Sequence, residues 1–266
     1  MRVIVVGARG FVGSAVVAEA RSRGLTTIAR SAEDEPEGDA QAAIVFTSGL
    51  ASGAAQQPQL AFRRHVYDAA RWLAAPHHAF VYVSSTRVYD GAPSTRESTV
   101  LAVEPASADP YVSSKIAGES LALASSPHAI VVRLSNVAGP STRSELFLSD
   151  VLRQAARDGV VSLRSTLDSS KDYIDVRDAA AWILDAATAR APRVVNLAAG
   201  RNTTHGELLA ALAQVTPLRV VVAPGAPTVV VPSIDTAAVQ AAFPRRLYDP
   251  VAELPGYFAA FQTEKV

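Results

Sequence analysis

Short apolar runs recur along this chain, closed by glycine, serine or charged positions, and alternate with stretches whose apolar residues fall three and four apart. The runs at Arg2–Val6, Thr26–Ala29, Ala43–Thr47, Ala79–Ser84, Ala129–Leu134 and Val194–Leu197 are too short for helices. Continuous apolar character over such lengths predicts strands buried on both faces. Between them the spacing predicts helices, including Ser14–Arg23, Leu60–Leu73 and Tyr111–Ala124. Strand and helix in alternation is the pattern of a parallel sheet covered by helices on both sides, so the predicted fold class is α/β, doubly wound. Right-handed crossovers would bring the carboxyl ends of the strands to one rim, carrying Gly7, Thr47, Ser85 and Asn136. A functional site is expected there.

After Pro140 the pattern becomes less regular. Residues 1–142 and 171–200 are expected to form the sheet domain, and residues 143–170 and 201–266 a smaller C-terminal lobe. Prolines at 224, 227 and 232 mark loops in the second of these lobe segments.

Composition removes several functions. Twenty-five basic residues balance twenty-five acidic ones, with no basic run, so nucleic acid is not an expected partner. Cysteine is absent, which excludes disulfides, thiol nucleophiles and cysteine metal sites and suits a reducing cytoplasm. His65, His77, His78, His128 and His205 lack metal-type spacing. No long apolar segment follows a basic start, so neither a signal peptide nor a membrane span is expected.

Two motifs carry the candidate chemistry. The first strand runs directly into Gly7-Ala-Arg-Gly10-Phe-Val-Gly13 and then into a helix. In that context glycine serves a tight turn at Gly7, backbone approach to a pyrophosphate at Gly10, and close helix packing at Gly13. The helix N-terminus attracts the anion. This predicts a Rossmann-type dinucleotide site using Gly7, Arg9, Gly10, Phe11, Val12 and Gly13. The second motif is Tyr111-Val-Ser-Ser-Lys115, a phenol and an ammonium one helical turn apart. On a helix they share a face, and a nearby ammonium favours the phenolate, so Lys115 is expected to lower the pKa of Tyr111.

Together these residues resemble the extended branch of the short-chain dehydrogenase/reductase superfamily, the nucleotide-sugar epimerases, dehydratases and reductases. Further segments carry the resemblance in order: Phe80 to Tyr89, Arg96-Glu-Ser with Pro105, Asp109-Pro-Tyr111, Glu119, Arg133 to Pro140, Ser170 to Asp178 and Val195 to Gly200. Counting back from Val88-Tyr89, it implies Ser85 as the active-site hydroxyl beside Tyr111 and Lys115. It further implies cofactor contacts from Thr47, Ser48, His65, Tyr111, Lys115 and Leu134, and substrate contacts from Ser85, Thr86, Arg87, Asn136, Arg143 and Lys171. Lys171 stands where the family more often has arginine, giving a point charge without a bidentate fork. The link Ser31–Asp39 replaces what is usually a helix and a strand, so the sheet is expected to be trimmed at one edge. The helices around 60–73 and 111–124 are those through which relatives often dimerise, making a homodimer an expected assembly.

The chain reads Ile28-Ala-Arg30-Ser31 at the end of the second strand, where an acidic residue would bind a ribose 2′-hydroxyl and arginine accommodates a 2′-phosphate. Arg30 and Ser31, with Arg9, therefore favour NADP over NAD, the alternative being a solvated arginine at a strand end. An exchangeable NADPH suits net reduction. Thr86 and Arg87 follow Ser85 where dehydratases of this type carry an Asp-Glu pair, which argues against elimination of water. The resulting expectation is an NADPH-dependent reductase of a nucleotide-linked keto-sugar, with Tyr111 as proton donor; the resemblance implies a dTDP-4-keto-6-deoxyhexose in deoxysugar biosynthesis as the substrate. A nucleotide-sugar 4-epimerase with retained NAD(P), a reductase of a non-sugar carbonyl, and a non-catalytic nucleotide sensor are the alternatives.

Overall fold

A computed structural model describes residues 1–50, 53–141, 144, 146–189 and 191–263 of the chain. Along the sequence the elements are β1 (Arg2–Val6), α1 (Phe11–Ser22), β2 (Thr26–Arg30), β3 (Ala42–Phe46), α2 (Pro58–Phe62), a π-helical turn (Arg63–Tyr67) and α3 (Asp68–Leu73). There follow β4 (Ala79–Ser85), a 3₁₀ turn (Thr86–Tyr89), α4 (Pro110–Ser125), β5 (Ala129–Leu134), β6 (Asn136–Ala138), α5 (Phe147–Asp158), β7 (Val160–Leu163) and β8 (Ser170–Asp175). The chain closes with α6 (Val176–Thr188), β9 (Val194–Leu197), β10 (Asn202–Thr204), α7 (His205–Leu212), β11 (Arg219–Val222), α8 (Ala237–Ala242) and α9 (Pro250–Thr263).

Six strands make an all-parallel sheet in the order β2-β1-β3-β4-β5-β9. This is the doubly wound fold that the apolar runs predict. Side-chain alternation explains why those runs are apolar throughout. Val3, Val5, Val45, Val81 and Val132 face one side, where Val16, Val17 and Ala20 of α1 and Trp182 and Ile183 of α6 cover them. Ile4, Val6, Ile44, Phe46, Phe80 and Tyr82 face the other, under Ala69 and Trp72 of α3 and Ala122 of α4.

The order reverses between β1 and β3, which opens a crevice above their carboxyl ends. β2 is the edge strand, and residues 31–41 hold neither helix nor strand, so the sheet is trimmed as expected. Arginines pin that acidic link in place of an additional strand. Arg71 donates to the carbonyls of Ala32 and Asp34, Arg64 pairs with Glu33, and Trp72 donates to Ala32.

A second apolar cluster joins Leu148, Val151 and Leu152 of α5, Leu208, Leu209 and Leu212 of α7, and Leu254, Tyr257, Phe258 and Phe261 of α9. β8 lies between β10 and β6 in a separate three-stranded sheet, so Lys171 and Asp172 leave the main sheet although the sequence division keeps residues 171–200 within it. Val239 of α8, conversely, packs into the main sheet's cluster although it falls within 201–266. No helix among the described residues is long and apolar enough to cross a membrane.

Candidate active site

The glycine turn is built as the sequence requires. Gly7 has φ +86°, a left-handed conformation costly for any residue with a Cβ. A Cβ on Gly13 would lie 2.2 Å from the Gly7 carbonyl oxygen and 2.7 Å from Thr47 Oγ1, so only glycine lets α1 begin this close to β1 and β3. Gly10 caps α1 without a side-chain acceptor, and no acidic residue occupies the first turn. The backbone N–H groups of the first turn thus open toward the crevice, where a pyrophosphate fits them. Thr47 is turned inward, its hydroxyl donating to the Val6 carbonyl at 2.8 Å.

At the carboxyl end of β2, Arg30 is half-buried and already engaged. Its Nη2 lies 2.5 Å from Glu37, while its carbonyl accepts from the amides of Gly7 and Ala8. Ser31 donates its hydroxyl to Glu33 and its amide to Asp34. Arg9 is exposed at the same rim.

Ser85, Tyr111 and Lys115 converge at the end of β4. Asp109 caps α4 by accepting from the Tyr111 amide, and Pro110 fits the first helical position, which fixes where Tyr111 emerges. Ser85 ends the strand, accepts from the Arg87 amide at 3.2 Å, and sets its hydroxyl beside the Tyr111 phenol. Lys115 is buried, donates to the Val83 carbonyl at 2.9 Å, and lies 6.0 Å from the centre of the Tyr111 ring.

The pKa shifts follow from burial. Desolvation lowers Lys115 to about 8, opposed by the carboxylate of Glu119. Desolvation raises Tyr111, opposed by the Ser85 hydroxyl and the guanidinium of Arg87, whose Cζ is 5.0 Å from the ring centre. The expected lowering of Tyr111 by Lys115 is therefore not what the structure gives. The ammonium is turned toward the strand carbonyl, and the net effect of desolvation is to keep the phenol protonated at neutral pH.

After β4, Arg87 is exposed and paired with Asp109, and Thr86 is buried. Lys171 is half-buried, and its pKa is lowered by desolvation and then by the charge of Arg87. Asn136 directs its amide to the Asp172 carbonyl at 3.0 Å, holding β6 against β8. Leu134 is buried at the end of β5. Arg143 lies outside the described residues. Ser48 is half-buried beside the glycine turn, its amide 2.7 Å from where a Gly7 Cβ would stand.

Two residues absent from the sequence-based site complete this wall. Phe147, the first residue of α5, stacks on His205, the first of α7, with ring centres 4.2 Å apart, and Lys171 Nζ lies 5.6 Å from the Phe147 ring centre. Neither residue belongs to a local motif, and only the tertiary fold brings them together.

A model of the NAD dependent epimerase/dehydratase family matches residues 54–198. The chain belongs to that family. Solved structures cover nearly all of this epimerase/dehydratase chain at low identity. TunA, a NAD dependent NDP-hexosamine 5,6-dehydratase involved in tunicamycin biosynthesis, superposes with TM-score 0.86 at 18% identity, over 99% of this chain and 98% of its own. RMD from Pseudomonas aeruginosa, complexed with NADPH, gives 0.80 at 20% identity over 99% of each chain. The UDP-glucose 4-epimerase of Thermus thermophilus, in complex with NAD, gives 0.75 at 18% identity over 100% of each. A search of curated proteins finds no match. At these identities the structural likeness speaks for the fold.

Proposed function

We propose that this family member reduces a nucleotide-linked keto-sugar with NADPH, a 4-keto-6-deoxyhexose being the favoured substrate. The observation that carries the reading is the convergence of Ser85, Tyr111 and Lys115 at the strand ends, beside a glycine turn shaped for a dinucleotide. When bound, the reduced nicotinamide supplies the hydride. The protein's residues do the rest. The Ser85 hydroxyl orients the substrate carbonyl, and Tyr111 gives its phenolic proton to the oxygen as negative charge develops there. Lys115 keeps a positive charge under the site at neutral pH, where an ammonium of pKa about 8 remains mostly protonated. Arg87 and Lys171 are two cations close enough for each to feel the other's charge, which suits the negative charge of a nucleoside diphosphate. Thr86 and Arg87, following Ser85, supply no acid–base pair for eliminating water.

Arg30 is the proposed contact for the 2′-phosphate, with Arg9 and Ser31 beside it. The cofactor test is a comparison of kcat/KM. NADPH should be preferred over NADH, and Arg30→Ala should cut kcat/KM for NADPH by about 10–100-fold, the effect of losing one charge-assisted hydrogen bond, while changing NADH little. A wild-type preference for NADH would overturn the assignment.

One contact favours a second reading. Glu37 holds Arg30, which places a carboxylate near the ribose, as an enzyme retaining NAD would need. A 4-epimerase of that kind would carry tightly held cofactor through purification and consume none in turnover.

A further inference from the structure

His65 lies at the middle of the π-helical turn, fully buried, with both ring nitrogens engaged inside the protein. One backbone group fixes the whole arrangement. The Leu50 amide can only donate, and it meets Nε2 at 3.0 Å. Nε2 is therefore the acceptor, and in a neutral ring the proton resides on Nδ1. Nδ1 is 2.8 Å from Ser114 Oγ, which must accept. The Ser114 hydroxyl then gives its own proton to the Tyr111 carbonyl at 3.0 Å. The chain runs in one direction, from the loop after β3 through the imidazole and a serine to the backbone of Tyr111.

The surroundings hold this ring in place and keep it neutral. Its edge meets the Tyr111 ring at 87° with centres 5.5 Å apart. The π-turn carbonyl of His65 accepts from the Tyr82 hydroxyl at 3.0 Å, an approach possible because a Cβ on Gly118 would stand 2.1 Å from that hydroxyl and 2.7 Å from the His65 carbonyl. Gly49 lets its loop pass over both His65 and Lys115, since its Cβ would lie 3.0 Å from Nε2 and 3.4 Å from Lys115 Nζ. Arg63, Arg64 and Asp68 share its helical stretch and Lys115 and Glu119 stand on α4; desolvation together with the Lys115 ammonium lowers the His65 pKa to about 2. Both nitrogens being used, the ring has no hydrogen bond left for a cofactor.

We propose that His65 is a positioning residue, a permanently neutral imidazole that couples the loop at 47–50, beside the glycine turn, to the placement of the Tyr111 phenol. The proposal rests on the reading of Tyr111 as proton donor, and its consequences divide between two variants that each keep half of the ring's bonding. His65→Asn keeps a donor where Nδ1 stood and loses the acceptor for Leu50. His65→Gln keeps an acceptor where Nε2 stood and loses the donor to Ser114.

NADPH affinity, kcat and ring nitrogen-15 spectra are the measurements. His65→Asn should weaken NADPH binding about fivefold or more and leave kcat within about threefold. His65→Gln should leave NADPH affinity within about twofold and lower kcat about tenfold or more, since small misplacements of a reacting group carry penalties of that order. Identical effects of the two variants, or no effect from either, would overturn the coupling. Should either variant fail to fold, the wild-type spectrum still decides the arrangement: Nδ1 protonated and Nε2 bare, unchanged across roughly pH 5.5–8. A proton on Nε2, or titration near neutrality, would overturn it. Failure of every keto-sugar to react would count against the reductase reading alone, because the binding and spectroscopic results do not depend on turnover.

Discussion

Tyr111→Phe should lower kcat by about 10²–10⁴-fold, the usual contribution of a positioned general acid, while NADPH binding stays nearly intact. The substitution is structurally quiet. A phenylalanine ring keeps the edge contact with His65, and the residue's amide and carbonyl keep their bonds to Asp109 and Ser114. Only the hydroxyl beside Ser85 disappears. A purified variant retaining more than about a tenth of the wild-type rate would show that the proton comes from elsewhere. Burial raises this phenol's pKa, so the group stays loaded at neutral pH.

Glu119→Ala carries the largest expected loss of stability. Glu119 and Arg133 are 4% and 5% exposed and share three hydrogen bonds of 2.7 to 3.2 Å. Ser84 donates to the same carboxylate at 2.5 Å, while Arg133 donates to the Tyr89 hydroxyl, which in turn donates to Asn196. Removing the carboxylate strands a buried guanidinium, and breaking such a pair costs about 3–5 kcal/mol. Denaturant unfolding should register that loss as a lower midpoint, and a change under about 1 kcal/mol would contradict the network's role. Chemistry should respond as well. Glu119 raises the pKa of Lys115, so its removal should move the alkaline fall in kcat/KM to a lower pH. The sign follows from the ammonium being the active form, lost as pH rises through its pKa.

Much of this molecule is legible in its sequence because the sheet is buried on both faces. That burial makes the inner strands near-continuous apolar runs, such as Val3 to Val6 or Ile130 to Val132, and such runs mark themselves, whereas the edge strand β2 is half exposed and carries two threonines and an arginine. Gly7, Gly10 and Gly13 are readable for a related reason, since a Cβ at Gly13 would collide with backbone. The candidate catalytic pair is legible through helical spacing, which brings Tyr111 and Lys115 together without reference to the rest of the chain.

Contacts made across the fold are not readable in this way. The π-helical turn at Arg63–Tyr67 inserts one extra residue per turn, which a 3.6-residue pattern over 60–73 cannot display. The pairing of Arg30 with Glu37 depends on how the acidic link folds back, and the stacking of Phe147 on His205 depends on how α5 and α7 dock. Lys115 shows the same limit at a motif. Its spacing from Tyr111 predicts that it lowers the phenol's pKa, whereas the strand carbonyl of Val83 captures its ammonium and burial dominates.

The decisive measurement is incubation of the protein with NADPH and a set of dTDP- and UDP-linked keto-sugars, followed at the reduced nicotinamide's absorbance. A reductase should consume that absorbance catalytically with at least one 4-keto-6-deoxyhexose and form the corresponding alcohol. NADPH that binds yet is never consumed, alongside interconversion of two sugar epimers or no reaction at all, would contradict the reductase reading.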